Sequence, residues 1–309
     1  MKLYANLHSH STHSDGVYSP RELVRVAKDE GYRAIALTDH DTATGFDELK
    51  AECDTLGMDT VFGCEFSSPF SELNCTYHIV GFNFDPEYAP MKEYLEMRGA
   101  TETDQTRILT ERGLREGLLS GFTWDDVLKF NDGIAWLCNS HVFSYMKAAG
   151  LATDADYQNF FHTVFGKRRG EIPPLYDFMP GREILKLIDR AGGFAVIAHP
   201  AGTYGSVNDV PELIKMGALG VEVWHSMLSR EERTAALRLA KENKLYISGG
   251  SDHEGLCGGL YSTFEVPEET AFWAPECSLG TTEEFFREIK AGKLSEGREE
   301  LIEEYIRKI

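Results

Sequence analysis

GREILKLIDRAGGFAVIAHP at 181–200, VPELIKMGALGVEVWH at 210–225 and REERTAALRLAKENKLYISGGSDH at 230–253 decide the fold. Each stretch opens on an amphipathic run and ends on a short apolar one. The runs read as helices Arg182–Ala191, Val210–Met216 and Arg230–Glu242, and as strands Phe194–Ala198, Gly220–Trp224 and Leu245–Ser248. Short apolar strands separated by helices predict a parallel sheet covered by helices. The same rhythm runs back to the start of the chain. Leu3–Leu7 reads as a strand, and Ser19-Pro20-Arg21-Glu22 as an N-cap with Pro at the first helical position, opening a helix to about Glu30. Ala34–Thr38 is a strand, Phe46–Leu56 a helix, and Asp59–Gly63 and Tyr77–Phe84 are strands. So many consecutive units favour a closed or nearly closed barrel, although a doubly wound sheet shares the local pattern.

Residues 86–177 break this rhythm. Candidate helices lie around Pro90–Glu116, Trp124–Phe130, Val142–Ala149 and Ala155–Phe165, with no convincing strand. The predicted organisation is therefore a barrel domain of residues 1–85 and 178–309, with 86–177 as a helical insertion capping the mouth.

Composition narrows the class. The chain has 309 residues, 42% hydrophobic and 26% charged, in the range of a soluble globular protein. No run approaches the ~18 apolar residues of a membrane span. Lys2 is followed by no apolar h-region, so a signal peptide is not expected and the cytoplasm is the expected location. The six cysteines (53, 64, 75, 138, 257 and 277) form no CxxC pair, consistent with reduced thiols. A net charge of −19 repels polynucleotide backbones, which makes a nucleic-acid polymer the less expected substrate. Small anions stay eligible, because metal ions and a local basic cluster can set the sign inside a cleft.

Ligand-type residues gather at the strand ends. The first strand leads into His8 and His10, which point the same way as i and i+2 of an extended segment. Asp15 follows in Ser14-Asp15-Gly16. The second strand leads into Thr38-Asp39-His40-Asp41, the third into Gly63-Cys64-Glu65, and the fourth starts at Tyr77-His78. Later strands end in Ala198-His199-Pro200 and Gly250-Ser251-Asp252-His253. Active sites of such sheets collect at the carboxyl ends of the strands. Imidazole suits zinc, iron and manganese, and carboxylates bring in harder cations, so this rim predicts a multinuclear divalent metal site. An isolated HxH is as readily two surface histidines on an edge strand as a ligand pair; six elements delivering ligands to one rim favour the ligands. His13 and His162 read as solvated, and His225 as either a support to the site or a structural residue. Gly249-Gly250 and Gly258-Gly259 lack the GxxxxGK[ST] spacing and read as turns.

The pieces LHSHSTHSDG at 7–16, ALTDHD at 36–41, GCEFS at 63–67, YHIVGF at 77–82, VIAHPAG at 196–202 and SGGSDHEG at 248–255 resemble the PHP (polymerase and histidinol phosphatase) family of the amidohydrolase superfamily. The resemblance implies a distorted (β/α)7 TIM-like barrel holding two or three divalent ions (Mn, Zn or Fe). It implies one ion on His8, His10, Glu65 and Asp252, and a second on Glu65, His78 and His199, with Glu65 bridging. A third would sit on Asp15, His40 and a histidine near the last aspartate. Here the chain departs from the family's Asp-x-His, reading Asp252-His253-Glu254, so His253 or Glu254 completes that site or the ion is weak.

Paired ions suit in-line displacement at phosphorus, with a hydroxide bridging two of them as nucleophile. No GxSxG is present. Glu65, Asp252 and His199 are the expected catalytic centre. Substrate phosphate also needs fixed positive charge, and the candidate is Lys167-Arg168-Arg169, with a solvated turn as the plain alternative. Ser140 and His141 stand where related phosphatases carry a polar triplet, with a helix N-cap as the rival role for Ser140. An acidic surface and a helical cap point to a small phosphorylated metabolite as substrate, and the resemblance suggests two candidates. Phosphoribosyl 1,2-cyclic phosphate comes first, for a combined cyclic phosphodiesterase and phosphatase, and a nucleoside 3′,5′-bisphosphate second. A non-catalytic PHP module and a C–N bond hydrolase are the rival classes.

Overall fold

The computed structural model describes residues 3–171, 178–252 and 279–309, with the Lys167 side chain outside that set. The elements follow in the order β1 (Ala5–Asn6), α1 (Pro20–Glu30), β2 (Ala34–Ile35), α2 (Phe46–Leu56), β3 (Asp59–Thr60), β4 (Gly63–Phe70) and β5 (Cys75–Phe82). Then come α3 (Ala89–Arg115), α4 (Trp124–Phe130), α5 (Asn139–Ala148), α6 (Tyr157–Phe160) and α7 (Gly181–Arg190). The last part holds β6 (Phe194–Ile197), α8 (Val210–Met216), β7 (Gly220–Glu222), α9 (Arg230–Asn243), β8 (Tyr246–Ser248), α10 (Glu283–Ala291) and α11 (Arg298–Lys308). The Ser19 signal works as expected: its hydroxyl accepts from the Glu22 amide, the Glu22 carboxylate accepts from the Ser19 amide, and Gly31 closes α1 in the left-handed region at φ 98°.

The fold is mixed α/β, but the strands do not form one closed ladder. They make a three-stranded sheet ordered β1-β2-β3 and a five-stranded sheet ordered β4-β5-β6-β7-β8. The seams between the two coincide with ligand-bearing segments. On one side the Asp41 amide donates to the Glu65 carbonyl (2.8 Å) and the Glu65 amide to the Asp39 carbonyl (3.2 Å). On the other, the Leu7 amide donates to the Gly249 carbonyl (3.1 Å) and the Asp252 amide to the His8 carbonyl (2.9 Å). A backbone that turns out of the ladder to aim a side chain gives up regular pairing, so the expected barrel is interrupted where the site is built.

The all-parallel expectation also fails. β5 is antiparallel to both β4 and β6. Residues 71–74 join β4 to β5 directly, and a connection that short cannot carry a parallel crossover. β4 itself went unforeseen beyond Glu65, since Ser67-Ser68-Pro69 lacks strand-forming residues. The antiparallel turn brings the start of β5 to the rim where the other strands end.

Packing separates three bodies of core. Ala5, Leu7, Ala34, Val80, Val196 and Ala198 share an interior that α10 closes with Phe286 and Ile289, and a larger layer packs the helices onto the strands. The stretch 86–171 is helical throughout its described elements and has a core of its own, including Leu109, Phe122, Val127, Phe143, Tyr157 and Phe165. It is tied back by the buried pair of Arg98 on α3 with Asp41 (3.2 Å).

Candidate metal centre

Glu65 is the hub. It is the third residue of β4, fully buried, and five imidazoles from four segments surround its carboxylate. Its Oε1 lies 3.1 Å from His8 Nε2, 3.0 Å from His78 Nδ1 and 3.1 Å from His199 Nε2. Its Oε2 lies 3.3 Å from His10 Nε2 and 3.1 Å from His40 Nδ1. His78 reaches it because the hairpin places His78 opposite Ser67, one diagonal step from Glu65 on the same face. Asp252 closes the open side, with Oδ1 3.0 Å from His10 Nε2 and 3.4 Å from His8 Nε2. Asp15 stands at the outer edge, 3.5 Å from both His10 Nδ1 and His40 Nε2.

Two of these residues hold backbone conformations that L-residues avoid: His199 at φ 24° and Asp252 at φ 54°. Such strain persists where surrounding contacts over-determine it. Gly249-Gly250 are needed for close approach rather than for a turn. A Cβ on Gly250 would stand 2.4 Å from the His8 backbone nitrogen, and one on Gly249 2.1 Å from the Gly280 carbonyl oxygen. Asp39, quoted within the motif but given no role there, holds the His10–Asp15 loop: it accepts from the Ser11 amide (2.7 Å), the Ser11 hydroxyl (2.7 Å) and the Ser14 hydroxyl (2.6 Å).

The electrostatics are those of a cation receptor. Burial opposes charge on every group here. Even so, Glu65, Glu222 and Asp252 hold the His8 ring well above the ordinary imidazole value, and Asp252, Glu65 and Asp15 do the same for His10. Burial likewise pushes Glu65 up, but His8, His78, His40 and His10 hold it well below the usual carboxylate range. At His40 burial wins and lowers the ring to about 4. His8 Nε2, His40 Nδ1 and Glu65 Oε2 are buried without a hydrogen-bond partner. Buried polar atoms left in that state are costly unless something charged completes them.

Among the described residues, four groupings bring possible ligand atoms within 4.8 Å of one another: His8–His10–Glu65–Asp252, His40–Glu65–His78, His10–Asp15–His40 and His8–Glu222–His225. Of the expected ligands, His8, His10, Asp15, His40, Glu65, His78 and Asp252 are brought together, with His199 alongside. The groupings differ from the expected sets in giving His40 to Glu65 and His78, and His10 to Asp15. His253 and Glu254 lie outside the described residues. Glu222 was missed, although a buried acid at the end of an apolar strand was a legible signal. His225 is fully buried, with Nε2 3.6 Å from Asp252 Oδ2. Two aromatic rings flank the histidines: Trp136 stacks on His40 at 6.1 Å, and Tyr204 lies 4.4 Å from His78.

The candidate substrate contacts fare differently. Both ring nitrogens of His141 are engaged within the chain: Nδ1 accepts from the Cys138 amide and Nε2 donates to the Thr12 carbonyl, each at 3.0 Å. Burial lowers this ring to about 4, so it stays neutral. Ser140 is buried at the start of α5 with its hydroxyl unpartnered. Arg168 pairs with Glu116, the C-cap of α3, and Arg169 with Glu102 within that helix. His13, expected in solvent, is bonded through Nδ1 to the Thr44 hydroxyl (2.8 Å). Cys53, Cys64, Cys75 and Cys138 are free thiols; Cys257 and Cys277 fall outside the described residues.

Comparison with known proteins agrees with this geometry. The PHP domain matches residues 6–159. A 5′-3′ exoribonuclease of Haemophilus influenzae is 30% identical over 259 residues, covering 82% of this chain and 91% of that protein. A phosphoribosyl 1,2-cyclic phosphate 1,2-diphosphodiesterase of Eggerthella lenta is 28% identical over 268 residues, covering 85% and 98%. A 3′,5′-nucleoside bisphosphate phosphatase of Chromobacterium violaceum is 28% identical over 255 residues, covering 80% and 86%. Among solved structures, a Bifidobacterium adolescentis protein assigned as a metal-dependent phosphoesterase superposes with TM-score 0.73 at 26% identity, over 95% of this chain and 98% of the other. Among the described residues no helix is long and apolar enough to cross a membrane. With a relative at 30% identity matched along nearly its whole length, and a rim of histidines around one buried glutamate, this chain belongs to the PHP family and is a hydrolase of phosphoric esters.

Proposed function

We propose that the protein is a metal-dependent phosphoesterase acting on a small phosphorylated ribose, with phosphoribosyl 1,2-cyclic phosphate as the leading substrate. The observation that carries the metal-dependent reading is the buried, partner-free Glu65 Oε2 and His8 Nε2 at the centre of the histidine rim. Residues fit for divalent ions are His8, His10, Glu65 and Asp252 for one, Glu65 and His78 with His199 and His40 around a second, and Asp15 with His40 and His10 at the outer edge. When bound, such ions supply Lewis acidity and an activated water near neutral pH. Glu65 has two oxygens facing different histidine sets, so it fits a bridging role. Asp252, at 22% side-chain exposure, lies where the cluster opens toward solvent. The distorted (β/α)7 barrel, the 86–177 cap and the Lys167–Arg169 phosphate anchor belong to the same proposal. Arg169 supports it best, since its partner Glu102 lies on α3, one helical turn from the Arg98–Asp41 tie to the rim.

A second reading is hydrolysis at the 5′ end of RNA, favoured by the exoribonuclease relative. The net charge of −19 does not decide against it, because bound cations reverse the local sign at a cleft that the whole-surface charge does not describe. Both readings share a phosphorylated ribose, and one experiment separates them. Product formation is followed by chromatography, with Mn2+ present, from phosphoribosyl 1,2-cyclic phosphate, a nucleoside 3′,5′-bisphosphate, a 5′-phosphorylated oligoribonucleotide and an amide control. The highest kcat/KM is expected on the cyclic diester. Preference for the oligonucleotide replaces that reading with the second, and turnover of the amide alone removes the phosphoesterase reading.

A further inference from the structure

We infer that Glu222 is the positioning residue of the metal centre, setting the His8 ring and the His199 backbone together. It ends β7, is fully buried, and its two oxygens serve two different segments. Oε1 lies 3.0 Å from His8 Nδ1 and Oε2 accepts from the His199 amide at 2.8 Å. An ionised carboxylate only accepts, so the His8 proton is held on Nδ1. With a cation in place of the Nε2 proton, the Nε2 lone pair would face it beside Glu65 Oε1 and Asp252 Oδ1, which lie 3.1 Å and 3.4 Å from that nitrogen. The second bond acts on a strained backbone. His199 sits at φ 24° ahead of Pro200, and the hydrogen bond its backbone N–H donates to Glu222 fixes the conformation that aims Nε2 at Glu65 Oε1, 3.1 Å away. One carboxylate therefore decides the tautomer of one expected ligand and the direction of another, from beneath the ring of histidines.

The grouping of His8, Glu222 and His225 within 4.8 Å raises the alternative that Glu222 is itself a ligand. Its oxygens are both occupied by N–H donors, and His225 Nδ1 accepts from the Met227 amide at 3.2 Å, so this group turns its lone pairs away from a shared ion.

Glu222→Gln keeps the shape but has one acceptor where two are needed, and its amide N–H2 faces a donor. Glu222→Asp keeps the charge but retracts it by one methylene. This inference rests on the metal-centre reading. Mn2+ affinity of the purified full chain is measured by chelator competition, together with thermal melting of the metal-free protein and kcat at saturating Mn2+. The expected result is a 10–100-fold loss of Mn2+ affinity in Glu222→Gln and a smaller loss in Glu222→Asp. Metal-free melting stays close to wild type, and kcat is largely restored by excess Mn2+. Unchanged affinity, or a drop in metal-free melting with affinity intact, overturns the positioning role. Lower Mn2+ stoichiometry with no recovery of kcat makes Glu222 a ligand instead. Wild-type protein that binds no Mn2+ removes the metal-centre reading, and this inference with it.

Discussion

Glu65 and His141 are both buried titratable residues at the same rim, and they do opposite things. Around Glu65, atoms are buried and left incomplete: Oε2, His8 Nε2 and His40 Nδ1 have no hydrogen-bond partner. At His141, on the insertion, every polar atom of the ring is spent on the chain itself, binding the Cys138 amide and the Thr12 carbonyl. The strand-built side of the site is thus an unfinished polyhedron that a cation completes. On the insertion side the His141 ring is a finished clamp that holds α5 against the loop carrying Asp15, while Ser140 beside it keeps a buried, unpartnered hydroxyl. Burial alone does not mark function; burial with lone pairs left over does.

The strongest way to break this contrast is at the hub. Glu65→Gln removes the charge that five imidazoles share, and should lose most bound metal and at least about 10³-fold in activity, a larger loss than any single histidine variant. Elemental analysis beside steady-state kinetics checks it. Full metal content in the variant would mean that the bridging assignment is wrong.

Within the strand-built side, the edge should be weaker than the centre. Asp15 and His40 have side chains 22% and 14% exposed, against 0% for Glu65 and His8. Dilute chelator should empty the Asp15–His40 position first. Anomalous scattering from treated crystals ranks the occupancies. An outer ion that outlasts the inner ones would show that residues past Asp252 complete a full-strength site.

On the insertion side, His141 predicts a pH dependence rather than a catalytic one. Its pKa is lowered to about 4 by burial, from 6.5. The unfolded chain takes up a proton near 6.5 and the folded chain does not. The stability His141 contributes is therefore present above pH 6.5 and lost as pH falls toward 4, by up to about 3 kcal/mol. Denaturant unfolding of metal-free wild type and His141→Gln at a series of pH values should show the wild type losing more over that interval. Parallel curves would mean that the ring is not held neutral.

The smallest effects are expected in the basic run. Arg169→Ala should raise KM about 10-fold with metal content unchanged, if its guanidinium serves substrate phosphate as well as Glu102. Arg168→Ala should change KM by less than about 2-fold, since an exposed pair with Glu116 is worth roughly 0–1 kcal/mol. Wild-type kinetics in both would leave only a paired turn, and the contrast between the two sides of the site would become complete.

From the amino-acid sequence alone came the candidate ligands that gather at one rim and the mixed α/β class of fold. Metal chemistry restricts which residue types can serve, strand periodicity puts His8 and His10 on one side, and alternating apolar and amphipathic runs require a covered sheet. It also marked the helical stretch after residue 86, because strand patterns stop there. What it left to the tertiary structure was everything that depends on partners distant in the chain. The antiparallel course of β5 follows from a four-residue connection, and the seams in the sheet follow from backbone that leaves the ladder to aim Glu65, His8 and Asp252. Whether a buried histidine is a ligand or a clamp depends on what its two nitrogens meet, and His141 meets Thr12 across 129 residues. Glu222 became visible for the same reason: its meaning lies in two N–H groups on other segments, His8 and His199, which only folding brings to its two oxygens.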